Sequence, residues 1–165
     1  MSFQERTYHG LQGRAAAPAP RRGRWGRGVT PEDPDVWHPS RLLVEVPEHG
    51  PTEREHVTIL DELFPREESD FGWGYNGTGT SSTAAAVLAD ALEIDIETIS
   101  FAGERPDETL ADLREAFCAE VLTDLYDEWR LNRRAVLRWV ADWFHQRGVS
   151  DVPAILRGPR AGTKT

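Results

Sequence analysis

The segment that most constrains the fold of this chain is a glycine-rich loop that leads directly into a helix. The loop reads FGWGYNGTGTSS over residues 71–82 and continues as the alanine-rich stretch TAAAVLADAL over residues 83–92. Glycine reaches backbone angles that other residues resist, whereas Trp73 and Tyr75 bring large surfaces that favour burial. The pattern therefore predicts a tight bend, centred on Gly74, in which both rings turn inward, followed by a helix from about Ser82 to Leu92. Its predicted N-cap is one of the hydroxyl residues 80–82.

Length and composition favour a single domain. The 165 residues suffice for one hydrophobic core, although hydrophobic residues make up only 39% of the chain. No apolar run approaches the length of a membrane span, and the first residues lack the hydrophobic region of a signal peptide. Cys118 is the single cysteine, which excludes an internal disulfide. We therefore expect a cytoplasmic protein that makes no membrane contact.

Charge is distributed unevenly along the chain. Residues 1–28 hold six arginines and one acid, a net charge of +5, and because the whole chain carries −9, residues 29–165 carry −14. Lysine is nearly absent, since Lys164 is the only one. Codon usage in a GC-rich genome and adaptation to high salt are both consistent with this composition, which affects solubility rather than fold.

The chain divides into four parts. Residues 1–13 contain a short strand at 6–11. Residues 14–40 form an insert or loop rich in proline, glycine and arginine, because so many prolines and glycines oppose regular structure. Residues 41–148, together with 6–11, make up the globular domain. We expect residues 149–165 to form a flexible tail.

The globular part has mixed secondary structure. Strands are predicted at 42–47 and 56–60. A second helix is predicted to begin at Asp107 or Thr109 and to end near Asp127. Trp129 and Leu131 then form a connection to Asn132, the predicted N-cap of a third helix. This helix runs from Arg133 to about His145, and Gly148 follows as its stop signal. The predicted fold class is α+β, a small antiparallel sheet packed against about three helices.

Several motifs resemble those of an uncharacterised prokaryotic family. Its hallmark is a Gly-Trp-Gly-Tyr-Gly-Gly-(Ser/Thr)-Gly-Pro loop before a helix that ends in Leu-Ala-Asp-(His/Ala/Tyr)-Leu. Residues 72–80 match this loop except at Asn76, which tolerates positive φ, and Thr80, which replaces a proline and gains a capping oxygen. Residues 88–92 fit the helix end. The opening Tyr8-His9-Gly10 and the later pattern Phe117, Val121, Trp129-Arg130-Leu131, Val136 and Trp139 also fit.

The resemblance covers residues 6–11 and 42–142, and residues 12–40 are an insertion relative to the family. It implies a small α+β domain found in bacteria, archaea and their mobile elements. It implies no particular activity.

The glycine loop has two interpretations. A glycine-rich turn entering a helix presents backbone amides at a positive dipole end, so the loop is a candidate anion site formed by Gly77, Thr78, Gly79, Ser81 and Ser82. The favoured interpretation is structural: Trp73 and Tyr75 fill the core while Gly74 and Asn76 let the backbone fold over them. The G-x-G-x-x-G match lacks the preceding strand that a dinucleotide site needs.

The basic insert is a candidate contact segment. Arg21, Arg22, Arg24 and Arg27 surround Trp25, a composition typical of flexible segments that bind nucleic acid. Because the rest of the chain is acidic, such binding would be confined to residues 14–28. The alternatives are a solvated segment, or an arm that pairs with the acidic body of its own or another copy.

The tryptophan pair of the last helix, the cysteine and the histidines are the other candidates. Trp139 and Trp143 lie four residues apart on one helix and are a candidate partner contact, although a core role for one of them is favoured. Cys118 lies on a helix stripe and is expected to be buried and inert. The histidines have no metal-ligand spacing, so we predict no catalytic residue, metal or cofactor.

The sequence favours a non-enzymatic accessory or interaction protein of a prokaryote or its virus or plasmid. Its partner would be a protein, a second copy or nucleic acid. The main alternative is a small anion- or nucleotide-binding protein or enzyme that uses residues 72–82. A third is an acidic mimic of nucleic acid.

Overall fold

The computed structural model describes residues 6–13, 38–47, 58–63 and 71–157. Their strands and helices follow in the order β1 (Thr7–Gly13), β2 (His38–Pro47), β3 (Thr58–Glu62), α1 (Thr78–Leu92), α2 (Ile96–Ile99), α3 (Glu108–Glu120), β4 (Glu128–Asn132) and α4 (Arg133–Gln146). Short 3-10 helices lie at Leu122–Asp124 and Ala154–Arg157. The predicted α+β class, a small antiparallel sheet packed against helices, is confirmed.

The four strands form one antiparallel sheet in the order β3-β2-β1-β4. On β1, Tyr8 lies opposite Val44 of β2 and Leu131 of β4. Leu11 pairs with Glu128, and Gly13 pairs with His38. β1 therefore ends, and β2 begins, at the end of the sheet where β4 starts. β2 begins inside the range 14–40 that the sequence assigned to the insert.

The edge strand β4 lies where the sequence analysis placed only a connection. Trp129 is buried and Leu131 half-buried, whereas Glu128, Arg130 and Asn132 are exposed. This alternation has the period of a strand. It is only five residues long, and pairing with the distant strand β1 is what stabilises it.

Helix α1 forms the centre of the core. Its alanines and its leucines and valine are buried on all sides of the helix, as expected for a helix enclosed by other elements. The small alanine side chains allow the neighbouring elements to approach closely. Tyr8, Leu42 and Val44 of the sheet belong to the same buried cluster as α1.

The caps of the later helices follow the sequence signals. The side chain of Asp107 accepts a hydrogen bond from the Leu110 amide, and that of Asn132 accepts one from the Arg134 amide. Gly148 has φ of 64° just after α4, so both N-caps and the glycine stop are confirmed. The predicted extension of α3 to Asp127 is wrong, because the helix ends at Glu120.

The chain after α4 continues along the core. Val149, Val152, Ile155 and Leu156 pack against the buried cluster, and the last two belong to the second 3-10 helix. The packed part of the chain thus reaches residue 157, whereas the sequence placed the start of a flexible tail at residue 149. Residues 158–165 of that tail lie outside the described part.

Candidate functional site

Trp73 of the glycine loop is a core residue. Its side chain is 2% exposed, and its ring meets that of Trp129 edge to face with centroids 5.4 Å apart. The indole Nε1 donates a hydrogen bond of 3.3 Å to the carbonyl of Asp127. The predicted inward direction of this ring is confirmed, and the ring joins the loop to the start of β4.

Tyr75, in contrast, does not turn into the core. It is 50% exposed, which contradicts the expectation that both rings are buried. Its ring lies across the loop itself: a Cβ at Gly72 would come within 2.3 Å of the Tyr75 hydroxyl, and one at Gly77 within 2.7 Å of the ring. The two glycines therefore make room for a tyrosine that covers the loop from the solvent side.

Gly74 makes the turn between these two rings. Its φ of 78° favours glycine, and a Cβ there would lie 2.9 Å from the carbonyl oxygen of Leu125. Its amide donates a hydrogen bond of 2.9 Å to the carbonyl of Leu122. Asn76 is exposed and has no positive φ, so the positive φ anticipated there is absent and the replacement of a glycine causes no backbone strain.

Helix α1 begins at Thr78, earlier than predicted. Its N-cap is Gly77, and no side chain caps it, so the hydroxyl caps expected at residues 80–82 are wrong. The Thr80 hydroxyl instead donates to the carbonyl of Tyr75 at 2.7 Å. The Thr83 hydroxyl donates to the carbonyl of Gly72 at 2.9 Å and accepts from the Gly72 amide at 3.1 Å. These hydroxyls fasten the loop to the first two turns of the helix.

The earlier start of α1 separates the five anion-site candidates into two groups. Gly77, Thr78 and Gly79 lie at the helix N-terminus, where amides point outward. Ser81 and Ser82 lie one turn further on, and the Ser81 amide donates to the carbonyl of Gly77 at 3.0 Å. The Ser81 hydroxyl oxygen is buried without a hydrogen-bond partner. Only the first three residues are placed to offer free amides.

An exposed aromatic that the sequence analysis overlooked lies beside this loop. Tyr126 is 77% exposed. On either side of it in sequence, the Leu125 carbonyl lies against the backbone of Gly74, and the Asp127 carbonyl accepts a hydrogen bond from the Trp73 side chain. The flanking acids Asp124, Asp127 and Glu128 are exposed. We call Tyr75, Tyr126 and these three acids the tyrosine surface. The sequence signal that could have identified Tyr126 is an aromatic residue among acids, at the point where the apolar periodicity of α3 ends.

The tryptophan pair on α4 is largely withdrawn from solvent. Trp143 is 4% exposed, and the Arg147 guanidinium carbon lies 4.2 Å from its ring centroid. Trp139 is half-buried and meets Phe117 edge to face at 5.1 Å. The favoured prediction, a core role for one ring and partial cover for the other, agrees with this geometry.

The basic insert, Cys118 and the potential metal ligands are separate in sequence from the glycine loop. Residues 21–27, with the arginines and Trp25 of the basic insert, lie outside the described part of the chain. Cys118 is buried, and burial, followed by the nearby Glu115 carboxylate, raises the pKa of its thiol to about 11. Among the described residues, no group of three or more His, Cys, Asp or Glu side chains is arranged to hold a metal ion.

A partly buried polar network joins the start of β1 to the C-terminal end of α1. The Tyr8 hydroxyl donates a hydrogen bond of 2.8 Å to Asp90 Oδ2, and Arg6 forms an ion pair with Asp90 Oδ1. Burial, followed by the Asp90 carboxylate, raises the pKa of Tyr8 far above that of a free tyrosine. Tyr8 therefore remains a neutral donor. Sequence reasoning matched Tyr8 and Asp90 to family motifs but did not connect them.

Arg133 fastens the first residue of α4 to the same helix end. It is 1% exposed, and its Nε and Nη2 atoms donate to the carbonyl of Ala91 at 3.1 and 2.9 Å. Nη2 also meets Glu93 Oε1 at 2.8 Å. A buried guanidinium is thus satisfied by a helix C-terminus, where the dipole favours a cation.

These features define an α+β domain whose motif residues mostly build the scaffold. The chain matches a family of unknown function, designated DUF6166, over residues 40–142. Since the match covers more than half of the chain, the protein belongs to this family. No curated protein matches the chain, and no solved structure matches it either. In the described part of the chain, none of the helices combines the length and apolar character needed to cross a bilayer.

Proposed function

We propose that this chain is a non-enzymatic binding protein that contacts a protein partner through the tyrosine surface. The observation that carries the proposal is the different placement of the aromatic residues: Trp73 is 2% exposed, whereas Tyr75 is 50% and Tyr126 77% exposed. Tyrosine is enriched at protein interfaces because its large ring packs and its hydroxyl pairs with polar groups. Two exposed tyrosines on touching loops are well suited to such contact.

The character of the partner follows from charge. Asp124, Asp127 and Glu128 flank Tyr126 and are exposed, which favours a basic segment and repels phosphate groups. The motif residues support a binding role rather than a catalytic one, because Trp73, Gly74 and Asp90 already serve the packing and hydrogen bonding of the domain.

The biological setting rests on resemblance. The likeness of residues 72–80 to the hallmark loop supports an accessory protein of a prokaryote, or of its virus or plasmid, in the cytoplasm. The acidic, lysine-poor composition supports a high-salt environment, in which case the fold should weaken in dilute buffer.

The test is binding of defined probes. Fluorescence anisotropy would compare a labelled Arg/Lys-rich peptide, an Asp/Glu-rich peptide and a single-stranded DNA oligonucleotide of the same length. The wild-type chain should bind the basic peptide saturably, and the double variant Tyr75→Ser, Tyr126→Ser should bind it about tenfold more weakly or worse. Phe101→Ser is the matched control, since Phe101 is 58% exposed but lies outside the tyrosine surface. Equal binding by the double variant, or preference for DNA, would contradict the proposal.

Anion binding at the start of α1 is the second candidate. The buried Ser81 hydroxyl without a hydrogen-bond partner favours it, as do the outward amides of residues 77–79. Inorganic phosphate or nucleotides should then raise the melting temperature, and Ser81→Ala should reduce the rise. If neither phosphate nor nucleotides change the melting temperature of the wild-type chain, the loop has only a structural role.

Nucleic-acid binding through residues 14–28 also stays a prediction. Deletion of those residues should abolish retention of the chain on nucleic acid at low salt. Unchanged retention would rule this segment out as the contact.

A further inference from the structure

We propose that the protein partner of the tyrosine surface contributes an extended segment, which pairs with β4 as an added strand of the sheet. This inference rests on the proposed function, because Glu128 belongs both to the tyrosine surface and to β4. It adds the conformation of the partner segment, the backbone groups that hold it and the pattern of its side chains.

The position of β4 leaves one of its edges open to such pairing. β4 lies at the end of the sheet order, next to β1, and in the described part of the chain no other strand pairs with its outer edge. An unpaired edge presents backbone N–H and C=O groups to any extended chain that reaches it. The addition of a strand to such an edge is a recurring mode of peptide recognition.

The hydrogen-bond register shows which backbone groups of β4 point outward. The Arg133 amide donates a hydrogen bond of 2.8 Å to the Arg6 carbonyl at the end of the β1–β4 ladder, and the pairing along the ladder is continuous. Because hydrogen-bonded pairs alternate along an antiparallel ladder, the backbone groups of Trp129 and Leu131 face β1. The residues whose N–H groups face away from β1 are Glu128, Arg130 and Asn132.

The side chains of β4 determine what the added strand must carry. Glu128 and Arg130 are exposed on one face of the sheet, whereas Trp129 and Leu131 pack on the other face against the core. Side chains that lie directly opposite each other on neighbouring strands interact. The pattern fits a segment with a basic residue opposite Glu128, an acidic residue opposite Arg130 and apolar residues at the positions between and beside them.

The rest of the tyrosine surface continues this edge. Tyr126 and Asp127 precede Glu128 directly in the chain, and both are exposed. A strand that runs antiparallel to β4 passes Glu128 and continues toward these two residues. Further arginines in that strand can form paired hydrogen bonds with the carboxylate of Asp127 and stack on the ring of Tyr126. The segment is therefore basic at the end that leaves β4.

Charge favours a different protein over a second copy of this chain. Two copies of β4 paired antiparallel over all five residues would place Arg130 opposite its own counterpart, and like charges directly opposite each other destabilise a sheet. Each chain also carries a net charge of −9, which opposes the association of two copies. A separate segment with basic residues meets neither obstacle.

Backbone methylation of a peptide tests the pairing. The probe is the labelled peptide TVEVRRR, in which the glutamate lies opposite Arg130 and the first arginine lies opposite Glu128. Fluorescence anisotropy should show saturable binding. N-methylation of the glutamate or of the first arginine removes a donor to β4 and should weaken binding about tenfold. N-methylation of either valine, whose N–H faces away from β4, should change it about twofold or less.

A proline variant tests the same edge from the side of the protein. Arg130→Pro removes an outward N–H but no hydrogen bond to β1, and an edge strand tolerates proline at such a position. Binding of TVEVRRR should become about tenfold weaker or worse. The comparison is Arg130→Ala, which keeps the N–H and loses only the side-chain pair, so that a loss of about two- to fivefold is expected. Circular dichroism verifies that both variants are folded, and the methylated peptides decide the matter if the proline variant is not.

The outcomes separate this inference from the proposed function. Equal effects of N-methylation at the glutamate and at the valines would overturn the strand pairing. Failure of TVEVRRR to bind a chain that does bind the Arg/Lys-rich peptide would overturn it as well, and in both cases the proposed function still stands if the variant Tyr75→Ser, Tyr126→Ser binds more weakly. Absence of binding to either peptide would overturn both. A wild-type chain that sediments as a dimer, with Arg130→Pro as a monomer, would identify a second copy as the occupant of the edge and overturn the assignment of a different protein.

Discussion

Tyr8 donates a 2.8 Å hydrogen bond to Asp90 and so ties the central strand β1 to the last turn of α1, 82 residues away. Tyr8 is fully buried, and Arg6 pairs with the other carboxylate oxygen. This contact explains two sequence motifs at once. The tyrosine near the start of the chain and the aspartate at the end of the alanine-rich helix are the two halves of one interaction.

Removing either half should destabilise the fold. Tyr8→Phe leaves Asp90 without its neutral donor, and a hydrogen bond to a charged group contributes about 1.5–3 kcal/mol. Urea denaturation of Tyr8→Phe, Asp90→Asn and the double variant gives the coupling between the two side chains, expected at about 0.5–3 kcal/mol. Strictly additive losses would contradict a direct interaction.

Gly10 should be intolerant of any side chain. A Cβ there would lie 2.3 Å from the Trp129 ring, and that ring is itself held against Trp73. Gly10→Ala should therefore cost about 1–3 kcal/mol through overpacking. Gly148→Ala is the comparison: its φ is 64° but a Cβ there would meet nothing within 4 Å, so only backbone strain of about 1 kcal/mol is expected. Thermal unfolding of both variants measures the difference, and a milder effect at Gly10 would contradict the packing.

Substitution of the buried aromatic residue at the loop should destabilise the fold far more than substitution of the exposed one. Trp73→Ala empties a core site and should cost about 3–5 kcal/mol. Tyr126→Ser removes an exposed ring and should change the free energy of unfolding by about 0.5 kcal/mol or less. Chemical denaturation of the two single variants provides the comparison. A large loss in Tyr126→Ser would show that this ring supports the fold and would weaken its assignment to a contact surface.

Cys118 should behave as a buried, protonated thiol. Burial, with Glu115 as the next cause, raises its pKa from 9.0 to about 11, so alkylation by iodoacetamide at pH 8 should be slow in the native chain and fast in denaturant. Because the folded pKa exceeds the unfolded one, its contribution to stability is complete below pH 9 and declines as the pH rises toward 11. Cys118→Ala should flatten that decline. Rapid labelling of the native chain would contradict the burial.

Local signals in the sequence determined much of the fold. Asp107 and Asn132 cap their helices, Gly148 follows α4 in the left-handed region, and the apolar stripes of α3 and α4 face the core. Each of these depends on residues within one or two helical turns, so the sequence carries the information directly. The tight turn at Gly74 is equally local.

The features that depend on contacts between residues far apart in sequence were decided only by the tertiary structure. β4 exists because it pairs with β1, and a run of five alternating residues carries too little local preference to show that. The same holds for the aromatic loop: the sequence indicated that Trp73 and Tyr75 were special, but the contact with Trp129 buries one ring while Gly72 and Gly77 let the other lie on the surface. Which side of a loop faces solvent is set by packing between elements far apart in sequence, and the exposed Tyr126 is recognised only once that packing is in place.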